Sequence, residues 1–202
     1  NTTGTQNTAV GANALDANTT ANNNTAVGYN GLGANTTGAS NTAIGQGSLA
    51  LNTTGGSNTS VGKGALFENT TASNNTAVGA SALAVNTTGH SNVAVGGLCL
   101  DANTTGQDLV AVGYNALGAN TTAGDNVAVG TSALGQNTTG DNNTGCGRLT
   151  GFEITTGSNN LCLGSNAGRS GSPSGQITTG SNNVVLGNDN ISNLFCADTS
   201  IS

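Results

Sequence analysis

The segment Asn-Thr-Ala-Val-Gly, or a close variant, begins at residues 7, 24, 41, 58, 75, 92, 109, 126, 143 and 160, each 17 residues from the last, and returns at 183 after one longer step. A unit this short cannot enclose a core of its own, so successive copies must stack and bury their apolar faces on one another. The period therefore dictates a solenoid in which one repeat is one coil.

Numbered from the Asn of Asn-Thr-Ala-Val-Gly, the consensus is N-T-A-V-G-x-x-A-L-x-x-N-T-T-G-x-x. Positions 2 to 4 place β-branched residues two apart with a small residue between them, the period of a short strand. One face of that strand is buried in the coil, and the other must accept close approach. Position 5 is Gly in every copy, from Gly11 to Gly187, which marks a backbone corner that needs positive φ or tight contact. Position 9 is Leu in eight consecutive copies, Leu15 to Leu134, and forms the buried row. Positions 12 to 14 read Asn-Thr-Thr in nine copies and Ile-Thr-Thr at Ile154 and Ile177, while position 1 is Asn everywhere except Leu109. Identical polar residues stacked at strand spacing can bond to their copies above and below, so both Asn columns are expected to form ladders.

The remaining positions vary. Every charged residue between Asp16 and Glu153 falls on positions 6, 10, 11, 16 or 17, which are read as turns facing solvent. Only 6% of residues are charged, against about 25% in an ordinary soluble domain. Disorder goes with high net charge and few β-branched residues, and here Thr, Val and Ile recur on schedule, so the chain is read as ordered. The net charge of −6 is spread out and the three cations, Lys63, Arg148 and Arg169, lie far apart. That argues against a nucleic-acid duplex or an anionic membrane surface as partner. No apolar stretch approaches the roughly 20 residues needed to span a bilayer.

One Leu, one Val and a few Thr and Ala methyl groups per 17 residues are a thin core set against the entropy of ordering the coil. Burial between chains should make up the difference. With the Ala row of position 3 taken as the exposed face, the sequence predicts an obligate oligomer joined through that row.

At Asn-Thr-Ala-Val-Gly-x-x-Ala-Leu, repeated from 7 to 164, the chain resembles the head repeats of YadA-type trimeric autotransporter adhesins. The resemblance implies a left-handed parallel β-roll, a homotrimer of three chains packed side by side. This repeat is longer than the usual one in such heads, and the Asn-Thr-Thr-Gly arm departs from it. It is more similar to repeat regions of bacteriophage tail-fibre proteins, where such a unit precedes a connector and an intramolecular chaperone of the endosialidase type. On that resemblance residues 1–189 are the β-roll, with a longer coil carrying an inserted loop at 165–182, and residues 190–202 are the connector. The family's chaperone releases itself after a Ser, which makes Ser202 the processing end.

Other readings bear on the same residues. The Asn-Thr-Thr triplets match the N-glycosylation sequon, but an internal ladder explains them without sugar. Stacked Thr also builds ice-binding faces; adjacent residues point to opposite sides of a strand, so positions 13 and 14 cannot both lie on one such face. The Asp residues occupy three different coil positions and set up no calcium-binding roll, and His90 falls on a turn. Cys99 and Cys146 stand at positions 8 and 4, where Ala and Val otherwise sit, and are read as small core hydrophobes. Cys162 stands at position 3, opposite in facing to Cys146, and Cys196 lies in the tail. No paired spacing indicates zinc, and no nucleophile, base and acid set or phosphate loop indicates an enzyme.

The sequence thus reads as an all-β parallel β-solenoid of 17-residue coils, without cofactor or metal, serving as shaft or head of a phage tail fibre or related trimeric adhesin at the virion surface or outside the cell. The alternatives are a self-polymerising filament associating end to end and an ice-binding solenoid. If a cell-surface receptor or glycan is bound, the candidates are Tyr29, Lys63 and Tyr114 at position 6 and Arg169 in the inserted loop.

Overall fold

The structure is a computed structural model and describes residues 1–170, 175–188 and 191. Among the described residues, eleven three-residue strands, from β1 (Thr8–Val10) to β11 (Val184–Leu186), form a single parallel sheet in sequence order. Their register is strict: Thr25 pairs with Thr42, Ala26 with Ala43 and Val27 with Ile44, and so on up the stack. The longer coil does not disturb it, since Leu161 pairs with Val184 and Leu163 with Leu186. The chain is a β-solenoid whose coils are the 17-residue repeats.

The coil is joined to its neighbours all the way round, not only at the strand. On the arm, Thr36 N donates to Thr53 O at 2.9 Å; beside the Leu row, Leu32 N donates to Ser48 O at 3.0 Å; and at the turn, Gly47 N donates to Tyr29 O at 2.9 Å. Two turns close within nearly every coil, as in Ala65 N to Gly62 O at 3.4 Å and Asn69 N to Leu66 O at 3.2 Å. Gly at position 5 is required on both of the expected grounds. Gly28 has φ of +132°, and a Cβ there would lie 2.6 Å from the carbonyl oxygen of Gly45 in the next coil.

Both Asn ladders form, and they are buried. Asn52 Nδ2 donates to Asn35 Oδ1 of the preceding coil at 2.9 Å and to Gly55 O of its own coil at 2.9 Å. In the second column, Asn58 N donates to Asn41 Oδ1 at 2.9 Å, and Asn41 Nδ2 donates to the same Gly55 O at 2.9 Å. The carbonyl at position 15 thus ties together the two ladders, which satisfies amides that burial would otherwise make costly. Position 13 Thr adds a hydroxyl bond to the next coil, as in Thr53 Oγ1 to Thr70 O at 3.0 Å.

The Leu row is buried as expected, from Leu15 to Leu134. The strand faces the other way from the sequence reading. Position 3 points inward, with Ala26, Ala43, Ala77, Ala94, Ala111 and Ala128 fully buried. Position 4 points outward, with Val78 at 37% exposure and Val129 at 38%. The cause is the width of the coil. At position 3 of coil 9, a Cβ added to Gly145 would lie 3.0 Å from both Leu134 Cγ and Thr150 Cγ2, so only a small group fits opposite the Leu row. Where that row becomes Gly151 and Gly168, position 3 enlarges to Cys162 and then Val185, both buried.

The inward and outward assignment also corrects the reading of one thiol. Cys99 and Cys162 are buried and free, but Cys146 at position 4 is exposed and free. Cys196, residues 171–174 of the inserted loop and Ser202 lie outside the described residues.

Candidate functional site

The turn at positions 6 and 7 follows the Gly corner and stacks coil upon coil. Position 7 is left-handed in every described copy, with φ of 56° at Asn30, 67° at Gly47 and 64° at Gly64. Because Gly47 N donates to Tyr29 O and Gly64 N to Gln46 O, both at 2.9 Å, the position 6 side chains Tyr29, Gln46 and Lys63 rise from successive coils as one column. All three are exposed, as the sequence predicts for this row.

Phe67 comes to this column from position 10 of coil 4. Its ring lies against Gly47, where an added Cβ would be 3.3 Å from the ring edge. Tyr29, Gln46, Lys63 and Phe67 then wall an open groove of about 340 Å³, with Gly47 and Gly64 as the side-chain-free floor and Asn30 at its end. The volume falls at the small end of ligand sites, about 300 to 1,000 Å³. Two aromatic rings, an amide and a primary ammonium meet there. Among the described residues Lys63 makes no ion pair, so its charge is available to a ligand.

Of the candidates named from sequence, the structure brings Tyr29 and Lys63 together and leaves Tyr114, 57% exposed, on the same column but farther along the rod. Arg169 is taken up internally. Its guanidinium donates to Asn166 Oδ1 at 3.0 Å, lies 3.7 Å from Glu153 Oε1 and stacks over the Phe152 ring at 5.4 Å from the centroid. It braces the coil from which the insertion hangs. Ile177 N donates to Gly168 O at 3.1 Å, the same position 12 to position 9 bond that closes other coils, so the extra residues leave the coil at the turn of positions 10 and 11.

Phe67 is the contributor that reading by coil position passes over, because position 10 is otherwise a mixed turn row. The buried thiols are not part of any site. Burial pushes Cys99 up to about 12 and Cys162 up to about 11, so both stay neutral; Cys99 Sγ lies 3.1 Å from Ala111 O. Among the described residues, no group of three or more His, Cys, Asp or Glu could hold a metal ion. No helix there is long and apolar enough to cross a membrane. No known protein family, curated protein or solved structure matches the chain.

Proposed function

We propose that this chain is a structural fibre segment, the shaft or head of a phage tail fibre or a related trimeric surface adhesin, that holds its turn residues out on a stiff rod. What carries the reading is the ladder, continuous through its strands and its Thr column and interrupted in its Asn columns only at Leu109 and beyond Asn137. Eleven strands in one register, with two buried Asn columns and a Thr column bonded coil to coil, resist bending and sliding in a way a packed globule does not. At about 4.8 Å per coil the rod is about 50 Å long.

The homotrimer is part of this proposal, with left-handed rolls packed side by side, and its interface moves from the Ala row to the outward columns. Positions 2 and 4 form one flat sheet face, and in coils 6 to 8 position 2 changes from Thr to Val at Val93, Val110 and Val127. Val95, Val112 and Val129 stand beside them, exposed at 36 to 38%. A contiguous apolar strip of this kind marks an interaction surface, and the thin core gives copies of the same chain reason to cover it. The groove lies round the Gly corner from that face, so trimerisation leaves it open.

Analytical ultracentrifugation with negative-stain imaging tests the reading. Short trimeric rods are expected. A folded monomer would remove the trimer, and endless fibres would favour the self-polymerising filament instead.

A further inference from the structure

The turn positions are free to vary, and between neighbouring coils they do, yet four of their larger side chains return after five coils. Tyr29 and Tyr114, Lys63 and Arg148, Phe67 and Phe152, and Glu68 and Glu153 are all pairs 85 residues apart. The fold asks for none of them, since the same exposed position 6 is Ala12, Ala80 or Ser165 in other coils. Coils 2 to 4 and coils 7 to 9 thus carry one constellation twice: a Tyr, a cation two coils later in the same column, and a Phe four residues beyond the cation.

The two copies differ in where the Phe ring sits, and glycine decides it. In coil 3, Gly47 holds position 7 and Ala50 position 10, and Phe67 lies over Gly47, towards the Tyr29 and Lys63 column. In coil 8 the choice is reversed, with Ser132 and Gly135, and Phe152 lies over Gly135, where an added Cβ would come within 2.8 Å of the ring. Arg169 then covers Phe152 and is held by Glu153. The first copy is an open groove, and in the second the Phe ring lies over position 10 instead of position 7 and is covered by Arg169. In that second copy a guanidinium lies on the Phe ring, so a charged group beside an aromatic face is an arrangement this turn row already supports.

We propose that the groove of coils 2 to 4 binds an acidic saccharide, with the sugar carboxylate at Lys63, the hydroxyls at Gln46 and the C–H face of the ring against Tyr29 and Phe67. The proposal rests on the surface-fibre reading only for its biological setting. An open groove cannot desolvate a purely apolar ligand, whereas two aromatic faces and an ammonium suit a ring that is apolar on one face and charged at its edge. A peptide strand is disfavoured, because the backbone groups of this row are bonded from coil to coil and offer no sheet edge. Each contact is weak and salt-sensitive. Copies of the groove around a trimeric rod would add through multivalency.

The chain has two Tyr and no Trp, so its ultraviolet emission comes from the two constellations. In full-length Tyr114→Phe protein, Tyr29 is the only reporter. Titration with tri-galacturonic acid is expected to change Tyr29 emission at about millimolar concentration, with neutral maltotriose at least about tenfold weaker. Adding Lys63→Gln should weaken tri-galacturonate by about tenfold and abolish the salt dependence, whereas Lys63→Arg should keep both. Equal binding of the neutral sugar, no response up to about 10 mM, or binding indifferent to Lys63→Gln would each overturn the proposal. Imaging and ultracentrifugation of the same sample separate the two ideas: trimeric rods that do not bind sink this inference alone, and a folded monomer that binds removes the trimer and leaves this inference standing.

Discussion

At the scale of the residue, the most demanding feature is that the buried Leu of each coil is left-handed. Leu83 has φ of 51°, and the same holds from Leu15 to Leu134, a conformation that costs an L-residue about 1 to 2 kcal/mol. Burial of the side chain outweighs it. Leu83→Ala is therefore expected to cost about 2 to 5 kcal/mol. Leu83→Gly should cost no more than Leu83→Ala, reversing the usual order of about 0.5 to 1 kcal/mol in favour of Ala. Thermal unfolding of the two variants side by side checks this, and a clearly worse Gly variant would show that the strain is absent. The buried thiols give a second expectation. Their folded pKa values, about 12 for Cys99 and 11 for Cys162, lie above the roughly 8.5 of an unfolded thiol. The stability they contribute is present below about pH 8.5 and is lost as pH rises through the folded values. In a Cys146→Ser, Cys196→Ser background, neither should react with a thiol reagent at about pH 8 until the protein unfolds, and thermal stability should fall above about pH 9 less steeply once both are replaced by Ala.

At the scale of the element, a coil is a matched set rather than a fixed list. Coils 9 and 10 replace the position 9 Leu by Gly151 and Gly168 and the position 12 Asn by Ile154 and Ile177. A Cβ added to Gly151 would lie 2.7 Å from Leu134 Cδ2 and 3.1 Å from Ile154 Cδ1, so the Ile and the neighbouring Leu fill the space. This predicts coupling. Asn86→Ile alone crowds Leu83 and deprives Asn69 and Asn103 of ladder partners now at 3.1 and 3.0 Å. Leu83→Gly alone leaves a cavity. The double variant should be less destabilised than the sum of the two by about 0.5 to 3 kcal/mol, and simple additivity in a double-mutant cycle would refute the compensation. The ladder loss should remain in the double variant, since each buried amide left without its partner costs about 1 to 3 kcal/mol.

At the scale of the whole molecule, one stack of coils supplies two distinct surfaces. The strand face carries the outward Val columns, and the adjoining turn row carries the groove. Replacing Val95 and Val112 together by Glu puts unpaired charge where the proposed trimer is dry and should give monomers by ultracentrifugation, while Lys63→Gln should leave the oligomer intact. Cys146 lies in the same outward column, so it should be shielded from thiol reagents in the trimer and react in the Val95→Glu, Val112→Glu variant. Unchanged association of that variant would place the interface elsewhere.

The sequence alone determined the coil, its length, the Gly corner, the buried Leu row, both Asn ladders and the exposure of Tyr29 and Lys63. These follow from period and residue type, because a residue repeated at the coil spacing must meet its own copy. Only the tertiary structure decided which side of the three-residue strand is the inside. Alternation defines two faces without ranking them, and the general preference for burying β-branched residues pointed to Val. The Leu row opposite occupies the narrow interior and leaves room for Ala, so the smaller residue went in and Val10, Ile44 and Cys146 went out. The groove was undetermined for a related reason. Phe67 and Tyr29 belong to different rows and different coils, and they meet only because Gly47 leaves the space between them empty.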